Sequence, residues 1–282
     1  MVGAWPALAE SPAAERGRYV FAAGGCHACH TDEAGGGRPL AGGPELTTPF
    51  GKFFAPNITP DPAYGIGRWS DAQFLRAMRE GIAPDGRLYY PVFPYTAYAK
   101  ASERDLLDLK AYLSSVQAVS QPSRPHQVAF PFSIRLLVGP WRLLNFERGA
   151  WRLDPARDAV WNRGSYLVKA LSHCGECHTP RDSLGSLDRG RWMAGARMPG
   201  RRSVAPNLTP DASGLADWSE ADIVAALAFG TLPQGGVLGE EMGEVVRHGT
   251  SKLTHDDRRA IAVYLKSLPP RLNAVAPMTG AR

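Results

Sequence analysis

Cys26-His27-Ala28-Cys29-His30 and, 148 residues further on, Cys174-Gly175-Glu176-Cys177-His178 share one spacing, C-x-x-C-H. Two thiols three positions apart lie on neighbouring points of one tight helical turn, where they can meet the two vinyl groups along one porphyrin edge. The histidine that follows is carried over the ring face, and its imidazole can serve as the proximal iron ligand. A bare C-x-x-C also suits structural zinc or a thioredoxin-like redox pair. Zinc would require two distant pairs to converge, and the redox reading leaves both histidines and the repetition without a purpose. The pattern therefore predicts two covalently attached c-type haems, held by Cys26, Cys29, Cys174 and Cys177 with His30 and His178 as proximal ligands.

Composition agrees. The 282 residues suit about two domains, and the two motifs use all four cysteines, leaving none for a disulfide or a reactive thiol. Glycine (30) and proline (24) make the chain loop-rich, as expected where polypeptide wraps a large apolar ring. The formal charge of +5 is offset by about −4 from the propionates of two haems, so a nucleic-acid surface is a poor inference. No run of eighteen apolar residues predicts a membrane span. Met1 to Pro12 lacks the basic start and apolar stretch of a signal peptide and reads as a mature or truncated end.

The chain also repeats itself outside the two motifs. Arg16-Gly17-Arg18-Tyr19-Val20 answers Arg163-Gly164-Ser165-Tyr166-Leu167, and Ala55-Pro56-Asn57-Ile58-Thr59-Pro60-Asp61 answers Ala205-Pro206-Asn207-Leu208-Thr209-Pro210-Asp211. Trp69-Ser70-Asp71 answers Trp218-Ser219-Glu220. Each copy predicts three helices: one running into the haem motif from about Ala14 or Val160, one from Ser70 or Ser219 to Gly81 or Gly230, and one opening at Ser102 or Thr254. No stretch shows sustained strand-like alternation. Between the copies, Ile134 to Leu144 is apolar but interrupted by Arg135, Gly139, Pro140 and Arg142. It predicts an amphipathic helix packed between the domains, or one docked on a partner or a membrane surface.

This arrangement resembles class I cytochrome c domains, in which a helix enters C-x-x-C-H and a closing helix crosses it at a glycine facing an aromatic. Gly17 with Tyr112 and Gly164 with Tyr264 match that crossing. The expected fold is all-α, with two tandem class I cytochrome c domains at residues 1–118 and 159–270. A proline-rich linker spans 119–158 and a tail 271–282. The resemblance implies a distal methionine shortly before the last helix. Met242, in the polar segment Gly239-Glu240-Glu241-Met242-Gly243, occupies that window, whereas Met193 and Met198 fall too early. His248 and His255 read as solvated loop or helix-cap histidines. In the first copy Phe93 stands where such subunits commonly have methionine. That leaves a five-coordinate iron, solvent, or another ligand: His126, Lys100 or a tyrosine.

The whole plan is similar to the cytochrome c subunits of bacterial membrane-associated alcohol, gluconate and fructose dehydrogenases. The resemblance implies a periplasmic relay that takes electrons from a dehydrogenase catalytic subunit and passes them to a cytochrome, an oxidase or a quinone-linked acceptor. It involves no nucleic acid, and peripheral membrane association is open to it. The rival readings are a haem enzyme of peroxidase or thiosulfate-oxidising type, working at an open first haem, and a stand-alone carrier.

Overall fold

A computed structural model describes residues 11–198, 203–273 and 275. The N-terminal stretch before Ser11 and most of the expected tail at 271–282 lie outside the described residues. In the first half, helix α1 (Pro12–Ala23) leads into the short helix α2 (Cys26–His30), followed by α3 (Asp71–Glu80), α4 (Tyr95–Tyr98) and α5 (Glu103–Ser115). The linker contributes α6 (Val138–Asn145). In the second half the equivalents are α7 (Ala159–Tyr166), α8 (Gly175–His178), α9 (Glu220–Phe229), α10 (Glu240–His248) and α11 (His255–Lys266). Of these, α10 is more than twice as long as its counterpart α4.

The helix ends obey local chemistry. Ser70 with Gln73 and Ser219 with Asp222 form reciprocal capping boxes, and Gly81 (φ 63°) and Gly230 (φ 72°) close the same helices in the left-handed conformation. Ser102 and Thr254 accept from the backbone N–H of Asp105 and Asp257, capping the last helix of each half.

The fold is mainly helical, with short strands that the sequence does not announce. Strands β1 (Glu45–Thr48) and β2 (Gly51–Phe54) form a hairpin, and the linker adds β3 (Gln127–Val128) to its edge. A second ribbon pairs β4 (Ala196–Arg197) with β5 (Val204–Ala205). Pieces of two to four residues are too short to display a period of two, which is why no alternation is visible.

First and last helices cross where predicted. A Cβ placed on Gly17 would stand 1.8 Å from the Asp108 carbonyl oxygen and 2.9 Å from Tyr112 Cβ. On Gly164 it would stand 1.9 Å from the Ala260 carbonyl and 2.9 Å from Tyr264 Cβ. Only a missing side chain lets the backbones approach this closely. One apolar cluster runs through both halves, from Val20, Phe74, Leu106 and Leu109 to Leu167, Leu171, Ile261 and Tyr264, so the copies share a core.

The copies differ in one detail of length. Gly17 precedes Cys26 by nine residues and Gly164 precedes Cys174 by ten. The extra residue is absorbed by a π-turn at Leu167–Leu171, which widens the helix without shifting its crossing point.

The linker segment is helical as expected, but only part of it packs between the halves. Val138 is buried against Phe53 and Tyr90, Arg135 donates to the Leu88 carbonyl, and Trp141 Nε1 donates to the Leu184 carbonyl of the second half. Leu136, Leu143 and Leu144 remain more than 80% exposed. Arg135, Gly139, Pro140 and Arg142 interrupt the segment and leave too narrow an apolar stripe to bury all of its leucines at once.

Gly17→Ala and Gly164→Ala are expected each to destabilise the fold by about 1–3 kcal/mol or more, because backbone carbonyls cannot move aside as side chains do. Guanidinium unfolding followed by circular dichroism checks this.

Candidate functional site

Each C-x-x-C-H motif folds as a single helical turn, α2 or α8, immediately after the helix that crosses the closing helix of its half. The histidine ending that turn is aimed by a backbone carbonyl. His30 Nδ1 donates to Pro56 O at 2.7 Å, and His178 Nδ1 donates to Pro206 O at 2.9 Å. Both acceptors are the proline of the repeated Pro-Asn-(Ile/Leu)-Thr-Pro segment. With Nδ1 occupied, Nε2 is the ring nitrogen left to act as a ligand. Burial lowers the pKa of both imidazoles, with the prolyl carbonyls opposing, so each is neutral and able to ligate.

The same segment holds the chain that leaves the last helix. Asn57 Nδ2 donates to the carbonyls of Val119 and Gln121, and Asn207 Nδ2 donates to that of Arg271. Thr59 and Thr209 hydroxyls donate to the Oδ1 of those asparagines and accept from the N–H of Val119 and Arg271. The four thiols are free of disulfides. Burial pushes Cys26 and Cys174 up to about 12, the opposite of the electropositive surroundings that a reactive thiolate or a zinc thiolate needs. A paired thiol edge in apolar surroundings, with a neutral imidazole oriented beside it, fits a covalently held haem in both halves.

The structure also brings the two motifs together. His173, just before Cys174, donates from Nε2 to the carbonyl of Gly24, just before Cys26, at 3.1 Å. Tyr98 OH donates to the same carbonyl at 3.0 Å, and the Tyr98 ring meets His173 edge-on. Thr96 donates to one carboxylate oxygen of Glu176, and Arg181 donates to the other. Burial, then Glu176, push Cys177 up to about 11, and Cys29 of the first motif contributes across the junction.

A reciprocal pair of clamps holds this junction. Tyr19 on α1 donates to Asp257 at 2.5 Å and accepts from the N–H of Thr254, both at the start of the last helix of the other half. Tyr166 on α7 donates to Asp105 and accepts from the N–H of Ser102, again across the junction. Arg163 adds a two-pronged ion pair to Asp257. In the sequence Ser102, Asp105, Thr254 and Asp257 read as helix caps alone. The available signal is the repetition of tyrosine two residues after Gly17 and Gly164.

The distal candidates separate. Met242 is half-buried in the first turn of α10, so the expected loop is a helix. The last residue of that helix, His248, is not a solvated cap: it stacks on His27 with ring centroids 4.2 Å apart. Met193 is fully buried, and its backbone donates to Thr179 Oγ1, just as Leu40 donates to Thr31 Oγ1 in the first half. Phe93 lies among Tyr89, Tyr95 and Tyr98. His126 sits at the entry to β3, its ring against Phe53 and Tyr90 and its Nδ1 accepting from the Phe54 N–H at 3.3 Å. Lys100 Nζ donates to the Thr96 carbonyl and borders a cleft with Glu147 and Trp151.

Comparison with known proteins gives the same reading. The cytochrome c family model matches residues 14–117. A diheme cytochrome c-type protein of Cereibacter sphaeroides is 46% identical over 91% of this chain and 86% of its own length. A nicotinate dehydrogenase subunit of Pseudomonas putida is 44% identical over 98% of the chain, which spans 22% of that protein. The fructose dehydrogenase cytochrome subunit of Gluconobacter japonicus is 39% identical over 94%, and the chain spans 54% of it.

Burial alone would lift the Asp257 carboxyl, but the hydrogen bonds from Arg163 and Tyr19 outweigh it and hold its pKa below the ordinary 3.8. A depressed folded-state pKa stabilises fully above the unfolded value, and that stability is lost as pH falls through the folded one. Asp257→Asn is expected to cost about 2 kcal/mol at pH 7. Urea unfolding at a series of pH values should show that deficit shrinking once the pH drops below 3.8.

Proposed function

The chain belongs to the cytochrome c family, as a diheme electron-transfer protein, and from that premise we propose that it relays electrons from a dehydrogenase catalytic subunit to a downstream acceptor in the periplasm. The observation that supports this most directly is the contact between the two attachment sites, from His173, next to Cys174, to Gly24, two residues before Cys26. Two redox groups attached at such a junction would be separated by only a short stretch of packed protein.

The two haems would supply one-electron ferric/ferrous couples. Every other role belongs to the polypeptide. Cys26, Cys29, Cys174 and Cys177 would tether the groups and His30 and His178 would ligate the irons; burial keeps those imidazoles neutral, and the Pro56 and Pro206 carbonyls orient them. We assign Met242 as the distal ligand of the second haem. The first half has no methionine in the corresponding segment. His126 is retained as the candidate there, with Nδ1 held by β2 and Nε2 left to ligate. We take 119–158 as the linker between domains at 1–118 and 159–270.

A thioether ligand from Met242 would favour ferrous iron and raise the potential on the second side, which would give electron flow a direction from the first half to the second. The ring partners of Phe93 are Tyr89, Tyr95 and Tyr98, whose phenols burial pushes up, the first two to about 12, which makes them weak acids near neutral pH and supports a relay over catalysis on peroxide or sulfur compounds. No described helix is long and apolar enough to cross a membrane. The exposed leucines of α6 are the surface we assign to the dehydrogenase partner, with peripheral contact to the membrane on the same face.

Potentiometric titration of the holo-protein is expected to resolve two one-electron waves. Met242→Ala should lower the upper wave by on the order of 0.1 V, within the ~0.8 V range that axial ligands cover, and remove the weak red-end absorption of ferric iron bound to thioether. A variant that keeps both waves unchanged would remove Met242 from the assignment. The relay itself is tested by mixing oxidised protein with a substrate-reduced dehydrogenase. Reduction of both haems is expected, whereas turnover of peroxide or thiosulfate without such reduction would favour the enzyme reading.

A further inference from the structure

His27 occupies a variable position of the first C-x-x-C-H motif, where haem attachment places no demand on it, and the relay does not use it. Its Nε2 donates to Glu33 Oε1 at 2.8 Å. From the other half, His248 at the end of α10 lays its ring over that of His27, with 18° between planes, and brings its own Nε2 to 3.5 Å from Glu33 Oε2. That separation is too long for a good hydrogen bond, and the His248 Nε2 atom is buried with no hydrogen-bond partner. A buried nitrogen left unpaired beside a carboxylate is costly unless something else occupies the gap.

The three ligand atoms lie within 4.8 Å of one another. We infer that His27, Glu33 and His248 form a binding site for a divalent transition-metal ion, zinc being the simplest occupant, distinct from the two haem irons. Two imidazoles and one carboxylate are a common donor set for zinc with one coordination position open. Both histidines border a cavity of about 460 Å³, lined also by Glu15, Arg18, Tyr19 and Lys252, which has room for water as the fourth ligand. Glu33 and the nearby Glu244 supply negative charge against Arg247. Because two ligands adjoin the first haem motif and the third ends the helix that carries Met242, a bound ion would pin α10 to α2 across the junction.

Titrating Zn²⁺ calorimetrically into chelator-treated holo-protein tests this. One ion per chain is expected. His248→Ala and Glu33→Gln should each weaken binding by at least about tenfold, the lower end of what is lost even with outer-sphere partners. His255→Ala, an exposed histidine on α11, should bind as the parent does. Zinc should also raise the thermal midpoint of the parent and not that of His248→Ala, since only an ion bound to the folded state stabilises it. Unchanged Soret and far-ultraviolet spectra show that the variants are folded, and neither substitution touches haem attachment. Absence of a stoichiometric ion, or equal affinity in His248→Ala, overturns the inference.

Discussion

The hydrogen bond from the motif's closing imidazole to a prolyl carbonyl, His30 to Pro56 and His178 to Pro206, is the constraint on which the rest of each half depends. Following it outward closes a circuit. The prolyl carbonyl is placed by the Pro-Asn-(Ile/Leu)-Thr-Pro segment. The asparagine of that segment binds the chain just beyond the last helix. That helix crosses the first helix at a side-chain-free glycine, and the first helix runs back into the cysteines and the histidine. No member of the circuit can move without disturbing the direction of the imidazole, so a loop-rich chain still presents a rigid ligand.

The two circuits are then joined by exchange of like parts. Tyr19 and Tyr166 stand at equivalent positions, and each reaches the N-terminal cap of the other half's last helix. The relation between the halves is therefore close to two-fold at these clamps. A phenol that donates to a carboxylate and accepts from a capped backbone N–H satisfies three polar groups at once, which permits their burial in a shared apolar core. The symmetry brings the attachment motifs face to face, and it is broken where the copies need to differ. The second half carries an extra residue, taken up as a π-turn, and ends that insertion with His173 at φ 37°, which is the side chain that reaches Gly24.

The segments proposed for the distal side are unequal too. A methionine on α10 in one half and an aromatic cluster around Phe93 in the other would give two similar cages unequal potentials. The lengthened helix α10 carries both that methionine and His248, so the element extended in only one copy is also the one that reaches across to the other's motif.

Spacing alone pointed to the cofactor and to the cysteine pairs that fit it, because thioether attachment demands a fixed local pattern within five residues. Internal repetition identified the two copies, and capping residues with helical periodicity located their helices, since these signals too are local. What residues far apart in the chain do to one another was decided by tertiary structure. Ser102 and Asp105 are indistinguishable from ordinary caps until Tyr166 arrives, and His248 reads as a surface histidine until α10 lays it on His27. Strands of two to four residues have no period to detect, and the burial of one side of α6 beside its bare leucines depends on which neighbours the fold supplies. Sequence records which groups are available. Only the packed chain determines which of them meet, because contact energy depends on distances that the covalent order does not specify.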